Sequence, residues 1–174
     1  HHVLIEATET HRGVGKSLNY TAVRDKFAKW EDRITYIIVD NFPEPDPAHT
    51  LREAAWAREH FQRDSARAFL DDFCAPDDII LISDLDEFPS DDALAWDGKE
   101  AVALLQRTFH SAVDFEYPTP QYTSVIARAG IVSERGLAAI RDARYTMPVI
   151  RHGGWHFSWL GDAQARRHKL DLTC

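Results

Sequence analysis

Three carboxylates, Asp84, Asp86 and Glu87, fall within four positions directly after the aliphatic run Ile79–Ile82 and Ser83, and Pro89 closes the stretch. In extended chain, residues i and i+2 point to the same side, so Asp84 and Asp86 converge while Leu85 turns away. Two carboxylates held close together repel unless a cation or a proton lies between them. Just past the C-terminal end of an inner strand, where open α/β sheets collect ligands, such a pair reads as a site for a divalent cation. The plainer alternative on the same residues is a solvated acidic turn.

Two further stretches carry chemistry. Arg151-His-Gly-Gly-Trp-His-Phe-Ser-Trp159 sets tryptophans and histidines beside a flexible glycine pair, a composition that suits a sugar pocket because aromatic rings pack on the apolar face of a pyranose. His152 and His156 have a zinc spacing on a helix, but the glycines argue against a helix and no third ligand is near. The loop His11-Arg-Gly-Val-Gly-Lys-Ser17 resembles a phosphate-binding loop. That motif needs a glycine where Thr10 stands, and without it the backbone cradle is lost.

The elements that must position these groups follow from apolar spacing. Val3–Ala7, Ile34–Val39 and Ile79–Ile82 read as buried strands. Tyr20, Val23, Phe27 and Trp30 form the stripe of an amphipathic helix. Residues 41–49, with three prolines, are loop. Thr50 and Glu53 form a capping box that opens a helix running to about Phe73. Strand, helix, strand, helix, strand argues for a parallel sheet with right-handed crossovers. Beyond Pro89, Glu100–Phe109 reads as helix, Ala112–Tyr117 and Tyr122–Ala127 as strands, Leu137–Ala143 as a short helix, Trp155–Leu160 as a strand and the chain from Asp162 as helix.

The chain has 174 residues, 44% of them hydrophobic and 28% charged, as expected of one globular domain. A net charge of -8 argues against a nucleic-acid partner. No apolar run reaches a membrane span and no signal-peptide pattern opens the chain. Cys74 and Cys174 are expected as free thiols.

Several stretches together resemble glycosyltransferase family 17, whose best-known members add the bisecting N-acetylglucosamine to N-glycans. They are Ile5-Glu6-Ala-Thr with Gly13 and Lys16, Val39-Asp40-Asn-Phe-Pro43, Gln62-Arg63-Asp64, Ser83-Asp-Leu-Asp-Glu-Phe-Pro89, Tyr145-Thr-Met-Pro148 and Gly154-Trp-His-Phe-Ser-Trp159. Relative to the family, the chain has Phe88 where isoleucine is usual and is expected to be shortened at both ends.

The resemblance implies a GT-A-like fold, with a mostly parallel central sheet flanked by helices, in a single catalytic domain over residues 1–174. It implies transfer of N-acetylglucosamine from UDP-N-acetylglucosamine to a glycan hydroxyl with inversion. Asp84 and Asp86 then hold Mn²⁺ or Mg²⁺ against the departing diphosphate. Glu6 and Asp40 meet the uridine, Lys16 or Arg63 the phosphates, and Trp155 belongs to the donor side. Glu87 is the first choice of general base, with Asp114 and Glu116 behind it, and His156 is a further ligand or touches the sugar. The alternatives are a P-loop-like nucleotide hydrolase and a carbohydrate-binding relative without turnover. The expected location is cytoplasmic and microbial, or the Golgi lumen within a longer membrane-anchored chain.

Overall fold

The computed structural model describes residues 1–173, with the side chains at 168 and 171–173 outside the description. The chain divides into two compact units, His1–Ala68 together with the last residues from Leu170, and Phe69–Lys169. Cys74 is a free thiol; Cys174 lies outside the described residues.

In the first unit β1 (His2–Ala7) and β2 (Ile34–Val39) pair in parallel, with Ala7 beside Val39. The crossover contains α1 (Asn19–Val23) and a 3-10 segment, Arg24–Arg33. The expected stripe is only partly used. Tyr20 is buried against Phe27 and Tyr36, with ring centroids 5.8 and 4.8 Å away, while Phe27 and Trp30 stay exposed. Helix α2 (Leu51–Asp64) begins at the capping box: Glu53 N donates to Thr50 Oγ1 at 3.3 Å and Thr50 N donates to Glu53 Oε2 at 2.7 Å. The helix stops earlier than expected. Ser65 Oγ bonds back to the Gln62 carbonyl at 2.7 Å, competing with the helical ladder, and α3 (Arg67–Phe73) continues as a separate piece.

The second unit holds β3 (Ile79–Ile82), β4 (Glu87–Pro89), α4 (Asp91–Leu94), β5 (Val102–His110), β6 (Gln121–Arg128), α5 (Ala129–Arg135), α6 (Leu137–Asp142), β7 (Val149–Ile150), β8 (Gly154–Ser158) and the start of α7 (Ala163–Thr173). Its sheet runs β3-β6-β5-β8-β4, with β7 also on β5. Ala93, Val102, Leu104 and Ile126 form its core, with Leu81, Trp96 and Ile150 packed against them.

The mostly parallel central sheet expected from the sequence is corrected here. Among the described residues β5–β7 and β5–β8 run parallel in this sheet, whereas β3–β6, β5–β6 and β4–β8 run antiparallel. Parallel neighbours need a long crossover. The chain instead turns from β3 into β4 within Ser83–Asp86, and reaches β6 from β5 through a loop without a helix. β3 is accordingly an edge strand of this sheet, with Ile82 buried but Ile79 exposed. The architecture is mixed α/β.

Two element readings are also corrected. Glu100–Phe109 is strand β5, although Ala, Leu, Gln and Arg favour a helix. Val102, Ala103, Leu104, Gln106 and Thr108 are buried, and a central strand buried on both faces loses the alternation that would reveal it. Ala112–Tyr117 is loop, touching the sheet by an isolated bridge between Phe109 and Glu116.

Candidate active site

The acidic stretch after β3 folds as a closed turn. Glu87 N donates to the Asp84 carbonyl at 3.1 Å, and Ser83 Oγ donates to the carbonyls of Asp84 and Glu87 at 3.0 and 3.1 Å. The Glu87 carboxylate then folds back under the turn, where Oε2 accepts from Asp84 N at 3.1 Å and from Ser124 Oγ at 2.8 Å. Glu87 is only 6% exposed.

What makes that burial tolerable is Arg141, itself 5% exposed. From α6, its Nη1 donates to Glu87 Oε2 at 2.9 Å and to the Thr123 carbonyl at 2.5 Å. Its Nη2 donates to Glu87 Oε1 and, at 3.0 Å, to Asp84 Oδ2. Burial alone would lower the guanidinium pKa, but Glu87 and Asp84 more than offset it and hold the group above its ordinary value. Sequence reasoning missed this residue. Its signal was a lone cation after the four apolar residues Leu137-Ala-Ala-Ile140.

Asp86 faces another way. Its Oδ1 lies 3.6 Å from His156 Nε2, and its carbonyl accepts from Phe157 N at 2.8 Å, fastening the turn to β8. Burial pushes the Asp86 carboxyl up, yet His156 and then Lys169 outweigh it, so the group sits below its usual pKa. His156 is the register partner of Glu87 on one side and Thr108 on the other; its Nδ1 and Thr108 Oγ1 are buried without hydrogen-bond partners. Trp155 is exposed beside Phe88 in the same ladder. Asp84, Asp86, Glu87, Trp155 and His156 are thus brought into one neighbourhood of the second unit.

Among the described residues no group of three or more His, Cys, Asp or Glu side chains could hold a metal ion. The fit to a divalent cation therefore rests on Asp84 and Asp86, hard oxygen donors of the kind Mn²⁺ and Mg²⁺ take, with the remaining positions left to substrate and solvent. Asp86, kept ionised by its neighbours, fits that role; Asp84 brings Arg141 with it.

Glu116, named with Asp114 as a reserve base, is clasped by Arg107 at 2.7 and 2.6 Å. Asp114 is exposed in the loop after β5.

The other expected donor-binding residues lie in the first unit. Glu6 accepts from Lys16 Nζ at 3.1 Å, Asn19 N at 2.6 Å, Asn19 Nδ2 at 2.9 Å, Tyr20 N at 3.0 Å and Tyr36 Oη at 2.8 Å. Burial opposes ionisation, but these bonds together bring its pKa down to about 2. Asp40 is exposed just past β2. Arg63 Nη2 pairs with Glu59 Oε1 at 3.0 Å.

The loop that resembled a phosphate cradle closes on itself. Gly13 N donates to the Thr10 carbonyl at 2.8 Å, Val14 N to Thr10 Oγ1 at 3.2 Å and Lys16 N to the Thr8 carbonyl at 2.8 Å. These three amides are engaged inside the protein, and α1 begins only at Asn19, so the nucleotide-hydrolase alternative loses its physical basis.

No helix among the described residues is long and apolar enough to cross a membrane. Compared with curated proteins and with solved structures, the chain finds no match. The family model of glycosyltransferase family 17 matches residues 1–163.

Proposed function

The chain belongs to glycosyltransferase family 17, a family of N-acetylglucosaminyltransferases, and we propose that it moves N-acetylglucosamine from UDP-N-acetylglucosamine to a glycan hydroxyl with a divalent cation held by Asp84 and Asp86. The observation that supports this reading is Asp86 on the turn after β3, partly exposed and kept ionised beside His156. Bound there, Mn²⁺ or Mg²⁺ supplies Lewis-acid stabilisation of the charge that develops on the departing diphosphate.

The residues divide the remaining work. Arg141 and Glu87 fix the turn, and His156 fixes Asp86. The first choice of base is revised in this proposal: Glu87 acts as a positioning residue, because both its oxygens already accept from buried donors. The acceptor's proton then goes to a group outside the Arg141 network. Asp40 is the proposed uridine contact, since Glu6 is filled by its own donors. Lys16 or Arg63 is the cation proposed for the phosphates, and Trp155 stays on the donor side. The β1–α1–β2 start supports reading the fold as GT-A-like, with the antiparallel strands as its own elaboration.

Calorimetry with UDP, with and without Mn²⁺, joined to an assay of UDP release from UDP-N-acetylglucosamine, tests the proposal. Metal-dependent UDP binding and turnover are expected. Binding indifferent to the cation, or equal binding of ATP, overturns it.

A further inference from the structure

In the second unit, Thr108 Oγ1 and His156 Nδ1 are buried without a hydrogen-bond partner. They belong to neighbouring strands: in the parallel ladder of β5 and β8, Thr108 is the register partner of His156. Register partners point to the same face, from backbones about 4.7–4.9 Å apart. The next pair along, Phe109 and Phe157, meets on the opposite face with its rings stacked at 5.3 Å and 21°. The backbone beneath is held fast. Phe157 N donates to the Asp86 carbonyl at 2.8 Å, and Gly154 lets β8 close on β4. Side-chain rotation is the freedom left to join the two unpartnered atoms.

A buried polar atom left unpaired costs free energy, and each case in a folded protein calls for a reason. The candidate metal ligand beside His156 supplies one. His156 Nε2 stands 3.6 Å from Asp86 Oδ1, beyond ordinary hydrogen-bond reach, so this contact by itself does not fix which ring nitrogen carries the proton. A neutral imidazole has one N–H and one lone pair, and the bond made by either nitrogen decides the role of the other. A proton on Nδ1 would set a lone pair against the Asp86 carboxylate. A proton on Nε2 turns an N–H toward Asp86 and leaves the Nδ1 lone pair in need of a donor. Thr108 has the hydroxyl to provide it.

We propose that Thr108 is a positioning residue: its hydroxyl donates to His156 Nδ1, holds the neutral imidazole in the Nε2–H form and so turns that N–H on Asp86. Threonine suits the task, since its hydroxyl reaches different directions from the staggered χ1 wells and carries the one proton required. Valine has nearly the same shape and no proton to give. Asp86, held from behind in this way, keeps one orientation for its cation, as outer hydrogen-bond partners do for metal-binding groups. This inference rests on the cation proposed at Asp86. It adds to that site a residue that touches neither metal nor substrate.

Nitrogen–proton NMR correlation of the histidine rings in the full chain tests it without metal or substrate, the His156 signals being identified by their loss in His156→Gln. At about pH 9, where free histidine is neutral, the parent and Thr108→Ser are expected to show His156 in the Nε2–H form. Thr108→Val is expected to show a mixture of both forms. In a turnover assay with UDP-N-acetylglucosamine, Thr108→Val should need about tenfold more Mn²⁺ for half-maximal rate, with Thr108→Ser within about twofold of the parent. An Nδ1–H or mixed form in the parent overturns the proposal, and this spectrum decides even where a variant fails to fold. An unchanged Nε2–H form in Thr108→Val, or an equal Mn²⁺ requirement in Thr108→Val and the parent, overturns it as well. Turnover in the parent that is absent or indifferent to Mn²⁺ counts against the cation reading alone, and the ring spectra still decide the role of Thr108.

Discussion

Arg141 Nη1 donates to Glu87 Oε2 at 2.9 Å in the interior of the second unit, joining α6 to the turn that carries the candidate metal ligands. A buried ion pair adds little net stability compared with a well-packed apolar pair, but removing one member strands the other charge. Arg141→Met should therefore cost about 3–5 kcal/mol in urea unfolding, and Arg141→Met with Glu87→Leu should recover much of that loss. A single variant as stable as the parent would show that the pair does not hold the turn.

Asp86 tests the cation. It is partly exposed, with 36% of its side chain accessible, and it contributes little packing. Asp86→Ala should reduce Mn²⁺-dependent UDP-sugar turnover by about 100-fold or more while unfolding stability changes by less than about 1 kcal/mol. Full turnover in this variant removes Asp86 from the site.

The acid limb of stability should run through Glu6, whose pKa is depressed to about 2 from 4.5. A carboxyl with a depressed folded pKa stabilises above its unfolded pKa and loses that contribution as pH falls through the folded value. Its share should thus be complete at neutral pH and fade between about pH 4.5 and 2. Urea titrations of Glu6→Gln against the parent check this: the variant should be less stable at pH 7 and the gap should close toward pH 2. A gap independent of pH would assign the stability to other groups.

Gly154 opens β8 with φ 126°, and a Cβ there would lie 2.0 Å from the Phe88 carbonyl oxygen and 2.8 Å from Ser90 N. Both neighbours are backbone and cannot swing aside. Gly154→Ala should lower stability by more than about 3 kcal/mol, part clash and part left-handed strain. Gly15→Ala, where a Cβ meets nothing within 4 Å, should change it by less than about 0.5 kcal/mol. Thermal melts of the two variants decide; equal melting points would contradict the close approach of β4 and β8.

The acidic cluster was legible because its chemistry is local, carboxylates in a row after four aliphatics, but its shape was not: extended chain would set Asp84 and Asp86 on one side, whereas the chain turns at Leu85–Asp86 and sends Asp84 to Arg141 and Asp86 to His156. The capping box at Thr50 and the helix at Leu137 were legible for the same reason. β3 was found but given the wrong neighbours, since an unbroken aliphatic run says that a strand is apolar and nothing about the direction of the strands beside it. β5 was misread because a strand covered on both faces shows no alternation, and its alanines and leucines then speak for a helix. Arg141 was out of reach altogether. It lies 54 positions from Glu87 in the chain, and only folding makes the two neighbours.

Since the guanidinium of Arg141 is a permanent counter-ion inside the turn, the acidic loop does not depend on a metal to keep its shape. With the cation proposed at Asp84 and Asp86, a chelator should silence the enzyme without denaturing it, and returning manganese should restart it. Output would then follow the free supply of divalent ions in the surroundings, with the polypeptide waiting intact in between.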